Sequence, residues 1–215
     1  MIKTKICGIT NLQDAKAAID LGADALGFNF YKKSPRYIEP TTAKAIIEQL
    51  PPLVSLIAIF VDEYSPERIQ RIAHAVGISS VQLHGSESPD YVKSLSELRV
   101  IKAFRVNDGF DLNQLSAYSV NAFLLDAYEA DQFGGTGKTF PWDVAMAAKK
   151  RGRIILSGGL NEGNIYEAIR TVEPYAVDIC SGVECEPGRK APQKMENLFR
   201  EIQRARLDLS RAAAN

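Results

Sequence analysis

Eight short apolar, β-branched runs recur along this chain, each followed by a segment whose apolar residues return at helical spacing, and this alternation restricts the fold more than any other feature. The runs fall at residues 2–7, 24–29, 54–61, 80–84, 99–105, 121–126, 153–157 and 176–181. Between them lie stripes that suit packing on a sheet: Ala43, Ile46, Ile47 and Leu50 in the second helix, Ile69, Ile72, Ala73 and Val76 in the third, and Ile165, Ala168, Ile169 and Val172 in the seventh. Thr10 with Gln13 fits a capping box, and Ser65-Pro66 places a cap before a first-turn proline. A last helix begins near Pro192, buries Met195, Leu198, Phe199 and Ile202, and is expected to fray in its Ser-Arg-Ala-Ala-Ala-Asn tail. Eight strand-helix units in 215 residues predict an α/β protein, a single (β/α)8 TIM barrel with one catalytic domain over residues 1–215. An open doubly wound sheet, which usually has five or six strands, is the alternative.

Charge narrows the partners. Lys and Arg number 26 and Asp and Glu number 26, so no net field draws the chain to nucleic acid or an anionic membrane. No run of about 18 apolar residues occurs, and Met1 to Lys5 enters a strand directly, which predicts a soluble cytoplasmic protein. Three cysteines argue against a disulfide framework, and two histidines without paired cysteine spacing argue against a dedicated metal site.

In a barrel the carboxyl ends of all strands open on one face, where chemistry collects. The first strand ends Lys5-Ile6-Cys7-Gly8, and period-2 alternation puts Lys5 on the same face as Cys7. Cys7 is either a small buried hydrophobe or a thiolate favoured by that cation. Strand six ends in Asp126, either a cap or a partly desolvated carboxyl that donates a proton. The following Gly134-Gly135-Thr136-Gly137-Lys138 matches neither a Walker loop nor a dinucleotide fingerprint, since Gln132 and Phe140 stand where glycines are needed. It is read as a glycine loop over the barrel mouth or a surface turn. Gly158 and Gly159 after strand seven, and Ser181 and Gly182 after strand eight, allow backbone amides to approach a phosphate. Arg36, between Pro35 and Tyr37, suits a carboxylate. His84 closes strand four and either faces a ligand or is held by hydrogen bonds, whereas His74 lies on a helix surface.

Seven segments in one order, Lys5-Ile6-Cys7-Gly8-Ile9-Thr10, Gly27-Phe28 with Ser34-Pro35-Arg36, Val81-Gln82-Leu83-His84-Gly85, Leu124-Leu125-Asp126, Gly134-Gly135-Thr136-Gly137, Ser157-Gly158-Gly159-Leu160 and Ser181-Gly182-Val183-Glu184, together resemble the phosphoribosylanthranilate isomerase family of tryptophan biosynthesis. The resemblance implies an Amadori rearrangement without metal or organic cofactor, with Asp126 as general acid and Cys7 as general base. It implies a phosphorylated small-molecule substrate held at Arg36, His84, Gly158, Gly159, Asp178, Ser181 and Gly182, in a monomer or homodimer. The chain departs from the family's pattern in Cys180-Ser181, where two serines are usual, and in Pro141, where aspartate is common. Because strand eight neighbours strand one in a closed barrel, Cys180 is expected near Cys7. The rival readings are another phosphate-binding barrel isomerase, such as that of the histidine pathway, which uses aspartate in place of Cys7, and a catalytically silent ligand-binding barrel. Pentose-phosphate epimerases need metal ligands that this sequence lacks.

Overall fold

A computed structural model describes residues 1–107, 109–127 and 142–213. Eight parallel strands, β1 (Lys3–Ile6), β2 (Ala25–Asn29), β3 (Ser55–Phe60), β4 (Ser80–Leu83), β5 (Arg99–Val106), β6 (Ala122–Ala127), β7 (Ile154–Leu156) and β8 (Ala176–Ile179), hydrogen-bond in sequence order. β8 returns to pair with β1, from Lys3 opposite Ala176 to Ile6 opposite Ile179, which closes the barrel. All eight expected runs are strands, and the open-sheet alternative is excluded by this closure. Among the described residues, the helices that follow the strands are α1 (Leu12–Asp20), α2 (Pro40–Ile47), α3 (Pro66–Val76), α4 (Pro89–Lys93), α5 (Trp142–Ala148), α6 (Ile165–Val172) and α7 (Pro192–Ala212). After β5 the described residues of the connection carry a 3-10 turn, Leu112–Ala117, in place of the full helix that a regular alternation predicts.

Strand periodicity divides the core in two. Ile57, Ile101, Ala103, Ala122, Leu124, Ile155 and Ala176 pack together inside the barrel. Residues of the opposite parity, among them Ile6, Phe28, Phe60, Leu83, Phe123, Leu156 and Val177, face the helices. The helical stripe Ile165, Ala168, Ile169 and Val172 is wholly buried there, as are Ile69, Ala73 and Val76, while Ile47, Leu50 and Ile72 pack at its margin. The same period continues to the strand ends, so Ala122 and Leu124 lead inward to Asp126, and Ala176 to Asp178.

Local signals differ from the sequence expectation in three places. The first helix is capped by Asn11, whose side chain accepts from Asp14 N, whereas the Thr10 hydroxyl donates to the Gly188 carbonyl. Ser65 stands at the N-cap of α3 before Pro66, but its hydroxyl is drawn to Glu67 instead of a backbone amide. Of the tail expected to fray, Ser210, Arg211 and Ala212 belong to α7, and residues 214–215 lie outside the described residues. Arg206 anchors α7 by donating to Ile2 O at 2.6 Å and Thr4 Oγ1 at 2.9 Å.

One element had no counterpart in the sequence reading. Beyond β8 and a 3-10 turn at Ser181–Val183, strands β9 (Glu184–Glu186) and β10 (Arg189–Lys190) form an antiparallel hairpin. The glycine loop 134–138 and Pro141 lie outside the described residues.

Leu124 has no solvent exposure and sits in the barrel interior. Leu124→Ala is therefore expected to cost about 2–5 kcal/mol, the range for emptying a closely packed site, measured by urea unfolding. A loss below about 1 kcal/mol would show that the interior collapses to refill the space.

Candidate active site

Where β1 ends, Cys7 N donates to Ile179 O at 2.9 Å, which extends the β1–β8 ladder and brings Cys7 alongside Cys180. Two residues earlier, Lys5 projects into the barrel and its ammonium meets Asp178 Oδ1 at 2.8 Å, with both side chains almost fully buried. A Cβ at Gly27 would stand 3.1 Å from both Cys7 Sγ and Lys5 Nζ. Only glycine leaves the hollow that the thiol and the ammonium share.

One buried cation thus faces two groups able to carry negative charge. Cys7 is held well below the ordinary thiol range, first by the hydrogen bond from Cys180 and then, against the opposing effect of burial, by Lys5 and Lys190. Cys180 is pushed up by that same hydrogen bond and by burial, so Cys180 keeps the proton and Cys7 carries the charge. Burial pushes Asp178 up to about 7, only partly offset by Lys5 and reinforced by the charges of Cys7 and Asp126. Burial acts against the charge on Lys5 too, but Asp178 and Cys7 together raise it above its ordinary value. The cation persists while the two acids compete for it.

Across the mouth, His84 Nε2 lies 3.2 Å from Asp126 Oδ2. This is ion-pair distance without the alignment of a hydrogen bond. Gln82 Nε2 lies 2.9 Å from His84 Nδ1, and since an amide nitrogen only donates, Nδ1 accepts and the ring proton is assigned to Nε2, facing Asp126. Gln82 and His84 are two apart on one face of β4, which is why both reach the interior.

The β2 loop is shaped by its own side chains. Asn29 donates to Ser34 Oγ, Ser34 Oγ accepts from Arg36 N, and Arg36 is turned inward. Its Nε and Nη2 grip Glu184, at 3.0 Å to Oε1 and 2.7 Å to Oε2. Glu184 is half-fixed again by Lys190 at 2.9 Å. Burial works against its charge, but these two cations hold its carboxyl below the usual range. A ligand carboxylate would meet the other edge of the Arg36 guanidinium.

The glycine turns converge as the sequence suggests. Gly158 and Gly159 take left-handed backbone, φ 85° and 64°, and both Asn161 and Asn164 donate to Gly159 O. The 3-10 turn after β8 presses onto this loop so closely that a Cβ on Gly182 would fall 2.0 Å from Leu160 O. Ser181 opens the same turn.

Comparison with known proteins now decides the family. The model of N-(5'-phosphoribosyl)anthranilate (PRA) isomerase matches residues 4–201. The chain belongs to the N-(5'-phosphoribosyl)anthranilate isomerase family. A relative of that name from Citrifermentans bemidjiense is 51% identical over 96% of this chain and 100% of its own length. The phosphoribosyl anthranilate isomerase structure from Thermotoga maritima is 41% identical, covers 94% of this chain and 99% of its own, and superposes with a TM-score of 0.88. A further phosphoribosyl anthranilate isomerase, solved with reduced 1-(o-carboxyphenylamino)-1-deoxyribulose 5-phosphate, is 39% identical over 94% of this chain and 99% of its own, at a TM-score of 0.85.

Set beside what the isomerase family implies, the structure brings Cys7, Asp178 and Arg36 into one linked cluster, Asp126 and His84 into another, and the glycine turns to the adjoining rim. Asp178 is engaged by Lys5, and His84 lies against Asp126, so both have protein partners at the positions expected to meet substrate. Lys190, Gln82 and the role of Glu184 escaped the sequence reading. The alternation Gln82-Leu83-His84 signals Gln82's shared face with His84, whereas no local spacing points to Lys190.

Asp178 yields a pH dependence of stability with a definite sign. Its folded value, about 7, is above that of a free aspartate, so between about pH 4 and 7 the native state binds a proton that the unfolded state has released. That contribution is full below the unfolded value and is lost as pH rises through 7. The stability difference between wild type and Asp178→Asn should accordingly fall by about 1 kcal/mol per pH unit from pH 5 to 6.5, measured by urea unfolding across that range. Parallel curves would exclude a protonated Asp178.

Proposed function

We propose that this isomerase acts through Cys7 and Asp126 as base and acid in the Amadori rearrangement of N-(5'-phosphoribosyl)anthranilate to 1-(2-carboxyphenylamino)-1-deoxyribulose 5-phosphate, within tryptophan biosynthesis. The observation that carries this reading is the placement of the Cys7 thiol and the Lys5 ammonium in one hollow, in the same barrel mouth as the Asp126–His84 pair. In the first step protonated Asp126 donates to the ribose ring oxygen as the C1–O bond breaks, and the anilino nitrogen's lone pair forms the C1=N bond of a Schiff base. Cys7 thiolate then takes the proton from C2, and that electron pair forms the C1=C2 bond of an enolamine while the nitrogen regains its lone pair. Tautomerisation adds a proton at C1 and removes one from the C2 hydroxyl, leaving the ketone.

Arg36 holds the anthranilate carboxylate by the guanidinium edge that Glu184 leaves to the ligand. Amides around Gly158, Gly159, Ser181 and Gly182 hold the phosphate, whose binding positions the reacting carbons. His84 and Asp178 border the sugar between these two ends. Residues 1–215 act as one catalytic unit on a small phosphorylated metabolite in the cytoplasm, without a nucleic-acid or membrane partner. In support, Lys and Arg balance Asp and Glu at 26 each, and no described helix is long and apolar enough to cross a membrane. Of monomer and homodimer we favour the homodimer, because the Thermotoga maritima relative is described as dimeric.

Cys7→Ala and Asp126→Ala should each lower kcat by at least about 100-fold, followed as loss of phosphoribosylanthranilate fluorescence. Wild-type turnover in either variant would remove that residue from the mechanism. Light scattering should give twice the chain mass of 23.7 kDa, and a single-chain mass would refute the dimer.

A further inference from the structure

The β9–β10 hairpin contributes a charge that the reaction just described leaves unexplained. Lys190 has a fully buried side chain, and its ammonium donates to Cys7 O at 2.6 Å, Glu184 Oε1 at 2.9 Å and Cys180 O at 3.3 Å. Its backbone N donates to Asp14 Oδ2 at 2.8 Å, so the hairpin is also pinned to α1. Three acceptors match the three N–H groups of an ammonium. Even so, removing a lysine from water is unfavourable, and an apolar side chain of similar volume could fasten a hairpin to a barrel as well or better. A buried cation kept at this point needs another reason. The two carbonyls that it grips belong to the residues carrying the paired thiols, on the two strands that close the barrel.

We infer that Lys190 is a positioning residue for the isomerisation: it ties the ends of β1 and β8 together and places a second positive charge where it keeps negative charge on Cys7. This rests on the reading of Cys7 as the base. The groups facing Cys7 are Lys5 on β1, Asp178 and Cys180 from β8 and its end, Arg36 from the β2 loop, and Lys190 from β10. Each cation also has a carboxylate partner, Asp178 for Lys5 and Glu184 for Lys190. Glu184 also grips Arg36, so one hairpin holds both the base and the arginine beside it. Displacing Lys190 should consequently disturb proton abstraction and, through Glu184, the setting of Arg36.

The test measures the thiol directly. Wild type, Lys190→Met, Lys190→Arg and Glu184→Gln are compared in a Cys185→Ser background, which removes the exposed thiol of the hairpin. The rate of iodoacetamide alkylation at Cys7, resolved from Cys180 by peptide mass spectrometry, is followed from pH 5 to 9.5. In Lys190→Met the midpoint should rise by about one pH unit or more toward the free-cysteine value near 8.5. kcat/KM should fall about tenfold at pH 6 and recover part of that loss at pH 8.5. Lys190→Arg should keep the midpoint near wild type, and Glu184→Gln, which removes an anion from Lys190, should lower it. These opposite movements separate an electrostatic role from a merely structural one. Should Lys190→Met fail to fold, the Glu184→Gln and Lys190→Arg midpoints still decide. Unmoved midpoints with Cys7→Ala inactive overturn this inference alone, whereas turnover surviving in Cys7→Ala overturns both it and the assignment of the base.

Discussion

The Lys5 ammonium, enclosed in the barrel and contacted by Asp178 across the β1–β8 seam, is the interaction on which the rest of the site depends. Removing an ammonium from water is strongly unfavourable unless an anion accompanies it. Asp178 reaches Lys5 only when strand eight returns to strand one, so closure of the barrel supplies one of the two acids that compensate the charge. The same cation has a second acid beside it in Cys7, and two acids against one cation cannot both be ionised without cost. Asp178 accordingly takes up protons near neutrality while Cys7 holds negative charge.

Around this seam the protein adds charges in alternation. Lys190 binds the carbonyl of Cys7, Glu184 binds Lys190, and Arg36 binds Glu184, each within hydrogen-bonding distance of the last. Such a chain has few ways to rearrange, because moving any member strands a buried neighbour. Cys180, which stands where the family usually has serine, fits into it between Cys7 and Glu184, with its thiol 3.8 Å from Glu184 Oε1. Its higher affinity for the shared proton makes it a supporting thiol instead of a second base.

The opposite wall is organised by hydrogen-bond donors. Gln82 has an amide nitrogen to give to His84 Nδ1, an arrangement that leaves Nε2 to face Asp126. Lys102, on β5, carries an outward counterpart: it is buried against Glu87 at 3.0 Å and donates to Gly85 O, steadying the turn that follows His84. The two walls therefore have different chemistry within one barrel, a thiol pair among cations on one side and a carboxyl beside an imidazole on the other.

Much of this was legible in the sequence because it is local. Period-2 alternation sends Ala122, Leu124 and Asp126, and likewise Lys5 and Cys7, inward whatever the partner strand, and eight such runs with helical stripes between them specify the barrel. The candidate residues were recognisable as strand ends, and the ordered motifs carried the family. What the sequence could not contain was pairing between distant residues. Lys5 and Asp178 are 173 residues apart, Cys7 and Lys190 are 183 apart, and Arg36 and Glu184 are 148 apart. No spacing rule reaches that far, so a hairpin reading Glu184 to Lys190 looks like a loop until closure brings it to Cys7. The identity of the inward residues was set by the chain itself, and their charge states were decided only when the first and last strands met.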